Sequence, residues 1–416
     1  MTGDAAIWLI ALAAVAAMIA RPFRLPEYVW ALAGAALAVI LGIEPPALAW
    51  AGVLRGGEVY MFLTGMMLLS ETARREGVFD WVAALAVDAA RGSGARLFTL
   101  VFALGAVVTA FLSNDATAVV LTPAVLAVAR AAKAPARPYL IACAMVANAA
   151  SFVLPISNPA NLVLFQGHPP SLGLWLLRLG PSSLAALAAT YGILRWTEAR
   201  DLRLNLARDL KPPRLGPGGW TALAGLGVTG LGLMIASWFG RSLGPPTLAL
   251  GAITAAASLV RRREAPGSLL GAIHWSILPL VGGLFVLVEG LQHGGAAQAL
   301  AHLLDTGAAH DRGVAGLTGL SVGLADNLAN NLPVGLLMSE TLAAAHASAR
   351  LLDCAMIGVD VGPNLSITGS LATILWLTIL RREGQEMSYG RFLSLGLRVM
   401  PPALIAALAV RLAMAG

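Results

Sequence analysis

Residues 97–130 read LFTLVFALGAVVTAFLSNDATAVVLTPAVLAVAR, an apolar stretch with a polar Ser-Asn-Asp at positions 113–115. Arg91 and Arg96 precede the stretch, and Arg130 ends it. Clusters of Arg and Lys mark the cytoplasmic ends of membrane segments. Because both ends are basic, the chain enters and leaves the membrane from the same side. We therefore predict a re-entrant hairpin whose tip lies at the three polar residues.

The composition indicates that lipid surrounds this chain. Of its 416 residues, 58% are hydrophobic and 12% are charged, and the mean hydropathy is +0.77. A soluble domain has about 25% charged residues, which wet its surface. The net charge of +6 comes from basic residues in short loops, so it favours a fixed membrane orientation over nucleic-acid binding. The first apolar run lacks the features of a signal peptide, and we expect it to be a spanning helix.

About ten apolar stretches are long enough to span a bilayer, which takes about 20 residues in a helix. With the Arg clusters placed in the cytoplasm, the chain crosses back and forth through all of them, and both termini lie outside. The predicted spans are 5–20, 26–43, 57–73, 138–165, 172–195, 219–238, 244–260, 272–290, 351–380 and 392–412.

A second interrupted stretch, 313–349, follows a loop with three His and almost no Lys or Arg. We predict that it enters from the outside, with its tip near Asp326-Asn327. Residues 78–91 carry Asp80 and Asp88 among apolar residues and are predicted to form an amphipathic helix at the inner surface.

These features recur in the same order at an offset of about 210 residues. Each half contains a span broken by Pro or Gly, at 155–159 and at 362–366. Inverted repeats with broken helices place binding at the bilayer midplane. We predict an all-α polytopic membrane protein with two inverted repeats, about ten spanning helices and two re-entrant hairpins. Its parts are an N-terminal repeat 1–195 (hairpin about 97–130, broken helix about 138–165), a cytoplasmic linker 196–218, and a C-terminal repeat 219–416 (hairpin about 313–349, broken helix about 351–380).

Small polar side chains cluster at the hairpin tips and at the helix breaks. Polar groups at membrane depth are costly and are typical of binding sites, although they also hold helices together. Both roles stay open for any single residue. The predicted substrate-binding residues are Ser113, Asn114, Thr117, Ser157, Asn158, Asn161, Asn327, Asn330, Asn331, Asn364, Ser366 and Ser370.

Two carboxylates in these clusters, Asp115 and Asp360, are the predicted proton-coupling residues. A buried carboxyl can exchange a proton near neutral pH, so either residue would alternate between its protonated and charged forms. Asp326 and Glu289 are weaker candidates. Glu71 is also weaker, because Arg residues that can pair with it follow closely in the sequence.

Enzyme motifs occur only out of context. The GxGxxG pattern at 225–230 lies inside a predicted span, and the GxSxG pattern at 319–323 lacks a preceding strand. The sequence contains no HExxH or Walker A motif, and its His residues lack metal-ligand spacing. We expect a transporter with no enzymatic activity, no cofactor and no metal site.

The chain resembles the bacterial arsenite efflux permeases (ArsB) of the ion transporter superfamily over nearly its whole length. Residues 358–363 and 369–376 are the most specific match. One departure is Asn364, where relatives more often have Lys. Supporting matches are Asn114-Asp115 with Leu121-Thr122-Pro123, Ser157-Asn158 with Asn161, and Asn330-Asn331-Leu-Pro333.

The resemblance implies export of arsenite and antimonite across the bacterial cytoplasmic membrane in exchange for protons. It also implies that some members dock a soluble ATPase on the cytoplasmic face. Arsenite is a neutral trihydroxide at neutral pH, and Asn, Ser and Thr side chains suit its hydroxyls.

Other functions stay open. A thiolate site would require the isolated Cys143 and Cys354. A sodium/proton antiporter or a dicarboxylate carrier of the same superfamily is also open, although the hairpin tips contain no Lys or Arg to balance a dianion.

Overall fold

The computed structural model describes residues 3–204, 206, 214–293, 300–302, 304 and 312–414, and these residues form helices and loops without a strand. Four helices are long and apolar enough to cross a membrane by themselves. Residues 205 and 207–213 of the predicted linker lie outside the described residues. The fold is that of an all-α, multi-pass membrane protein.

Each predicted span in the first half contains helix. Residues 46–55, which lie between two predicted spans, form a further short helix that begins with Pro at its first position, where Pro is favoured. The helices are α1 (Gly3–Ala20), α2 (Glu27–Ile40), α3 (Pro46–Arg55), α4 (Gly57–Arg75), α5 (Val78–Ala90), α6 (Gly94–Leu112), α7 (Asn114–Ala116), α8 (Thr122–Ala131), α9 (Ala136–Ala149), α10 (Pro159–Leu164) and α11 (Leu172–Thr197).

The second half follows the same order, including a short helix that begins at Pro266 and corresponds to α3. The division into repeats at 196–218 stays a prediction. The helices are α12 (Pro217–Trp238), α13 (Gly244–Arg262), α14 (Pro266–Leu270), α15 (Ile277–His293), α16 (Arg312–Ala329), α17 (Asn331–Ala344), α18 (Ala349–Val361), α19 (Leu371–Arg382) and α20 (Tyr389–Ala413).

The first interrupted stretch reverses direction at Ser113, between α6 and α7. The Tyr139 hydroxyl at the start of α9 donates to the Gly94 carbonyl at the start of α6 over 3.3 Å. Further along, Gly105 of α6 packs against Val146 of α9. Helices α6 and α9 therefore run side by side in one direction, and α7 and α8 form the returning arm of a hairpin.

Helices of the two halves are exchanged in the packing. Helix α4 packs against α12 and α13, while α15 packs against α1, α2 and α3. The broken helices are exchanged too, since α10 contacts α17 and α19 contacts α9. The Trp376 indole of α19 donates to the Leu140 carbonyl of α9 over 3.0 Å. The packed interior of the molecule is therefore built from helices of both halves.

The long outer helices present large apolar side chains outward. Leu177 and Leu184 of α11, Leu231 of α12 and Leu397 of α20 are exposed. Such surfaces are compatible with lipid and not with water. The outward faces thus agree with a membrane environment.

Candidate functional site

The first hairpin turns at Ser113, which has a φ of 91°, a value that non-glycine residues rarely adopt. Beyond it, residues 117–121 form a π-helical turn, a feature frequently found at functional sites. The Thr117 hydroxyl lies 2.7 Å from that of Thr109 on the facing arm. Thr117 therefore joins the two arms of the hairpin and points away from the space beyond the tip.

The second hairpin turns at Asn330, which has a φ of 70°. The predicted tip near Asp326-Asn327 is wrong, because both residues belong to the last turn of α16. The Asn330 side chain accepts from the Leu332 amide over 3.3 Å and donates to the Thr368 carbonyl over 3.2 Å. Thus Ser113 and Asn330 occupy matching positions in the two hairpins.

The first broken helix is interrupted between Ala149 and Pro159. The Ser157 hydroxyl donates to the Ala110 carbonyl of α6 over 3.1 Å. The Asn161 amide donates to the Ser151 carbonyl over 2.8 Å. The first bond satisfies a carbonyl in the last turn of α6, and the second satisfies one inside the break, so Ser157 and Asn161 stabilise the break.

The second broken helix is interrupted between Val361 and Leu371. The Ser366 hydroxyl donates to the Asn327 carbonyl oxygen Oδ1 over 2.7 Å, and the Asn327 amide donates to the Gly362 backbone carbonyl over 3.0 Å. Both residues therefore tie α16 to the break.

Asn148 of α9 was missed in the sequence, although it is an amide inside an apolar run. Its amide nitrogen donates to Asn364 Oδ1 over 3.1 Å and to the Thr373 hydroxyl over 3.2 Å. Its oxygen accepts from the Ser370 hydroxyl over 3.1 Å. Asn364 also donates to the Met145 carbonyl over 3.0 Å. This network joins α9 to the second break, and the side chains of Asn364 and Ser370 are hydrogen-bonded within it.

The two broken helices meet at Asn158 and Asp360. The Asn158 amide donates to Asp360 Oδ1 over 2.6 Å, and its oxygen caps α10 by accepting from the Ala160 amide over 3.0 Å. Asp360 is fully buried, and its second oxygen has no hydrogen-bond partner among the described residues. Asp360 therefore lies behind Asn158.

A cavity of about 40 Å³, here called the middle cavity, lies between the two hairpin tips, α10, α15 and α19. Its wall contains two carboxyl residues, Asp115 at the first hairpin tip and Glu27 of α2, and no Arg or Lys among the described residues that line it. Glu27 forms an ion pair with Arg21 over 3.2 Å. The Asn331 side chain makes no hydrogen bond with another described residue. The predicted site residues in this wall are Asn114, Asp115, Asn158, Asn330 and Asn331.

A second cavity of about 60 Å³, the inner cavity, lies toward the side that the Arg pattern assigns to the cytoplasm. Ser113, Glu71 and His274 line it, and Asp115 borders both cavities. Glu71 forms ion pairs with Arg74 and Arg75, as its sequence position suggested. In the loop before α15, burial lowers the pKa of His274, and the charge of Arg382 lowers it further. The imidazole is therefore uncharged at neutral pH.

On the opposite side, an outer cavity of about 350 Å³ is lined by Arg55 and Glu340. Val59 and Leu336 belong to its wall, while Leu63 and Leu332, one helical turn deeper, belong to the wall of the middle cavity. These apolar side chains separate the two spaces. The middle cavity therefore adjoins the inner cavity at Asp115 and is separated from the outer cavity by Leu63 and Leu332.

The structure divides the predicted site residues into two groups. Asn114, Asn158, Asn330 and Asn331 line the middle cavity together with Asp115, and Ser113 lines the inner cavity. The remaining residues form hydrogen bonds or lie behind the wall, and they are Thr117, Ser157, Asn161, Asn327, Asn364, Ser366, Ser370 and Asp360.

In the described part of the chain, the candidate thiol and metal ligands are not arranged around the middle cavity as a thiolate or metal site. Cys143 of α9 and Cys354 of α18 are buried in different helices, and neither lines the middle cavity. Among the described residues, no group of three or more His, Cys, Asp or Glu is arranged to hold a metal ion. The polar groups of the middle cavity are thus mainly amides and two carboxyls in an otherwise largely apolar wall.

Comparison with known proteins reveals relatives over most of the chain. The citrate transporter (CitMHS) family profile matches residues 9–363. An arsenical pump membrane protein of Escherichia coli K12 is 28% identical, with 91% of this chain and 92% of that protein aligned. A putative arsenical pump membrane protein of Bacillus subtilis is 25% identical over 92% of this chain and 93% of that protein. The resemblance seen in the sequence is thereby confirmed.

A solved structure gives independent support for the fold. The YdaH transporter of Alcanivorax borkumensis has a TM-score of 0.58 with 17% sequence identity, and the match covers 88% of this chain and 86% of that one. At this identity the likeness concerns the fold alone, which is that of a membrane transporter.

Proposed function

Because this chain belongs to the citrate transporter (CitMHS) family, we propose that it is a secondary transporter that exports arsenite and antimonite across the bacterial cytoplasmic membrane in exchange for protons. The arsenical pump relatives support this substrate. The observation that carries the proposal is the middle cavity, whose wall offers the amides of four Asn residues, the carboxyls of Asp115 and Glu27, and no Arg or Lys among the described residues. Amides donate and accept hydrogen bonds and suit a neutral polyhydroxyl solute.

The size of the middle cavity favours a small solute. A water molecule requires at least ~10–15 Å³ of such volume, so a cavity of about 40 Å³ holds about three water-sized groups. Arsenite, an arsenic atom with three hydroxyls, matches that space. Citrate is much larger, and its carboxylates would find no cationic partner in this wall. The family name alone therefore does not decide the substrate.

Asp115 and Asp360 supply two places for the exchanged proton. Asp115 borders both the middle and the inner cavity and can exchange protons through either. Asp360 lies behind Asn158 and reaches the substrate only through that amide. Binding of a proton and of the metalloid would exclude each other, so protons would move inward as the metalloid moves outward.

Everted membrane vesicles from a metalloid-sensitive bacterium provide the test. With an acidic interior, vesicles that contain this protein should accumulate arsenite and antimonite, and dissipation of the pH gradient should stop the accumulation. Asp115→Asn and Asp360→Asn should each lower the accumulation about tenfold or more. Asp88→Asn, which changes an exposed carboxylate of α5, serves as the matched control.

Two results would argue against this function. Vesicles that respond to a sodium gradient but not to arsenite would indicate a sodium/proton antiporter. Accumulation of citrate in place of arsenite would indicate a carboxylate carrier. Retention of full pH-driven transport by both Asp variants would agree with a metalloid substrate but would contradict the role of Asp115 and Asp360 in proton exchange.

A soluble ATPase is a further proposed partner of the cytoplasmic face. A pull-down with the purified transporter in the presence of arsenite would test this, and transport that is unchanged by ATP and the ATPase would count against it.

A further inference from the structure

Asp326 of α16 is a buried carboxyl outside the wall of the middle cavity. It is fully buried, and neither of its oxygens has a hydrogen-bond partner among the described residues. Its neighbours on the same face of α16 pack directly on α18: a Cβ atom at Gly319 would lie 2.6 Å from the Cys354 carbonyl oxygen, and one at Gly323 would lie 3.5 Å from that of Gly358. Asp326 therefore faces the end of α18.

The end of α18 carries Asp360. A Cβ atom at Gly362, two residues after Asp360, would clash with the Gly323 backbone, so the two buried carboxyls lie at the same contact between α16 and the end of α18. The charged form of Asp360 has one stabilising contact, the amide of Asn158 at 2.6 Å. No Arg, Lys or His among the described residues forms an ion pair with either carboxyl. Two unpaired charges in such a place are prohibitively costly, so Asp326 and Asp360 together carry at most one negative charge.

Asn158 connects this pair to the middle cavity. Its side chain lines the cavity on one side and donates to Asp360 on the other. A hydroxyl that donates to the Asn158 oxygen polarises the amide and strengthens its N–H donation, because linked hydrogen bonds reinforce one another. Strengthened donation favours the charged form of Asp360. A neutral solute in the cavity can therefore lower the proton affinity of a carboxyl that it does not touch.

We propose that Asp326 and Asp360 form a proton-binding pair behind the middle cavity, and that Asn158 relays substrate binding to it. Without substrate the pair holds two protons, one on each carboxyl. When the substrate binds, the proton on Asp360 leaves to water, Asp326 keeps its own, and the remaining negative charge accepts the Asn158 hydrogen bond. Release of the substrate on the outer side lets a proton return to Asp360. This inference rests on the proposed proton exchange and specifies which group performs it.

Proton release on addition of arsenite tests the relay in purified full-length protein. In a weakly buffered detergent solution with a pH-sensitive dye, the wild type should release about one proton for each arsenite bound. Asn158→Ser keeps a side chain able to cap α10 but cannot replace the amide donor. It should still bind arsenite but release fewer than about a third as many protons. Asp360→Asn should behave in the same way.

Two further variants keep the inference open to refutation. Asn331→Ala also changes a cavity amide, but one without a bond to a carboxyl, so its proton release per bound arsenite should equal that of the wild type. Asp326→Asn imitates the carboxyl that keeps its proton, so release should persist. Normal release from Asn158→Ser, or loss of release in Asp326→Asn or in Asp115→Asn alone, would overturn the relay.

Arsenite exchange separates this inference from the proposed function. Vesicles preloaded with unlabelled arsenite should exchange it for external labelled arsenite even when the relay is broken. A wild type that shows no exchange would refute the arsenite function itself. Exchange together with undiminished proton release from Asn158→Ser and Asp360→Asn would refute only the relay, whereas exchange without proton release in the wild type would also contradict the proposed proton exchange.

Discussion

Replacing Asn331 should impair substrate binding without destabilising the protein. Its side chain lines the middle cavity and makes no hydrogen bond with another described residue. Asn331→Ala therefore removes a group that is available to a substrate and leaves no partner unsatisfied. Asn364 provides the contrast, since its side chain is fully buried and bonded to Asn148 and to the Met145 carbonyl.

Asn331→Ala should change the KM for arsenite, whereas Asn364→Ala should change the Tm. One hydrogen bond to a neutral hydroxyl contributes about 0.5–1.5 kcal/mol, and about 1.4 kcal/mol corresponds to a tenfold change in an equilibrium constant. The KM of Asn331→Ala for arsenite should thus rise by about two- to tenfold at an unchanged Tm. Asn364→Ala removes two buried hydrogen bonds, and interhelical bonds of this kind average about 0.6 kcal/mol. A penalty for the unsatisfied Asn148 amide, about 1–3 kcal/mol, adds to this, so its Tm should fall.

Both quantities are accessible in one preparation. Initial rates of arsenite uptake into everted vesicles at several concentrations give KM, and intrinsic tryptophan fluorescence during heating in detergent gives Tm. Asn331→Ala should raise KM alone, and Asn364→Ala should lower Tm. The distinction between cavity-lining amides and internally bonded amides would be refuted by an unchanged KM in Asn331→Ala together with a raised KM and a wild-type Tm in Asn364→Ala.

Other substitutions probe the packing and the titration of the fold. Asn148→Ala should lower the stability by about 2 kcal/mol, because three interhelical hydrogen bonds are lost, and Thr373→Val should cost less; Tm in detergent measures both. Gly358→Ala should destabilise by about 1–3 kcal/mol, since its Cβ would lie 2.5 Å from the Gly319 carbonyl oxygen, whereas Gly227→Ala, with open space around it, should be neutral. In the loop after α2, burial and then the charge of Glu289 raise the pKa of Glu44 to about 7. The folded protein therefore binds a proton that the unfolded chain has lost above its ordinary pKa of 4.5, and stability should fall as pH rises toward 7. Glu44→Gln should reduce the difference in Tm between pH 5 and pH 8, and an equal difference in both proteins would contradict the assignment.

Much of the architecture follows from local sequence. Long apolar runs must be helical in lipid, because only a helix or a closed barrel satisfies the backbone there. Pro155, Pro159 and Gly362 interrupt such runs, and helices break at these places in the structure. The hairpin at 97–130 follows from the Arg residues at both of its ends. Pro46 and Pro266 carried a signal for α3 and α14 that the search for long spans overlooked.

The turn of the second hairpin could not be located from the local sequence alone. Asp326-Asn327 is the more polar pair, yet the chain turns at Asn330. No Pro or Gly marks that residue. Its side chain caps α17 and reaches the Thr368 carbonyl on another segment, so the turn depends on a contact that is distant in the sequence.

Apolar length, basic loops and Pro or Gly interruptions are properties of the chain, and they predict that polar side chains gather at two hairpin turns and two helix breaks within a membrane. They do not distinguish Asn331, which lines the cavity, from Asn364, which is bonded inside the protein. That distinction arises in the folded molecule, where the exchange of helices between the halves brings α9 against the second break and Asn158 against Asp360. An amide has the same chemistry in either place, and its role depends on whether the neighbouring helix supplies a partner.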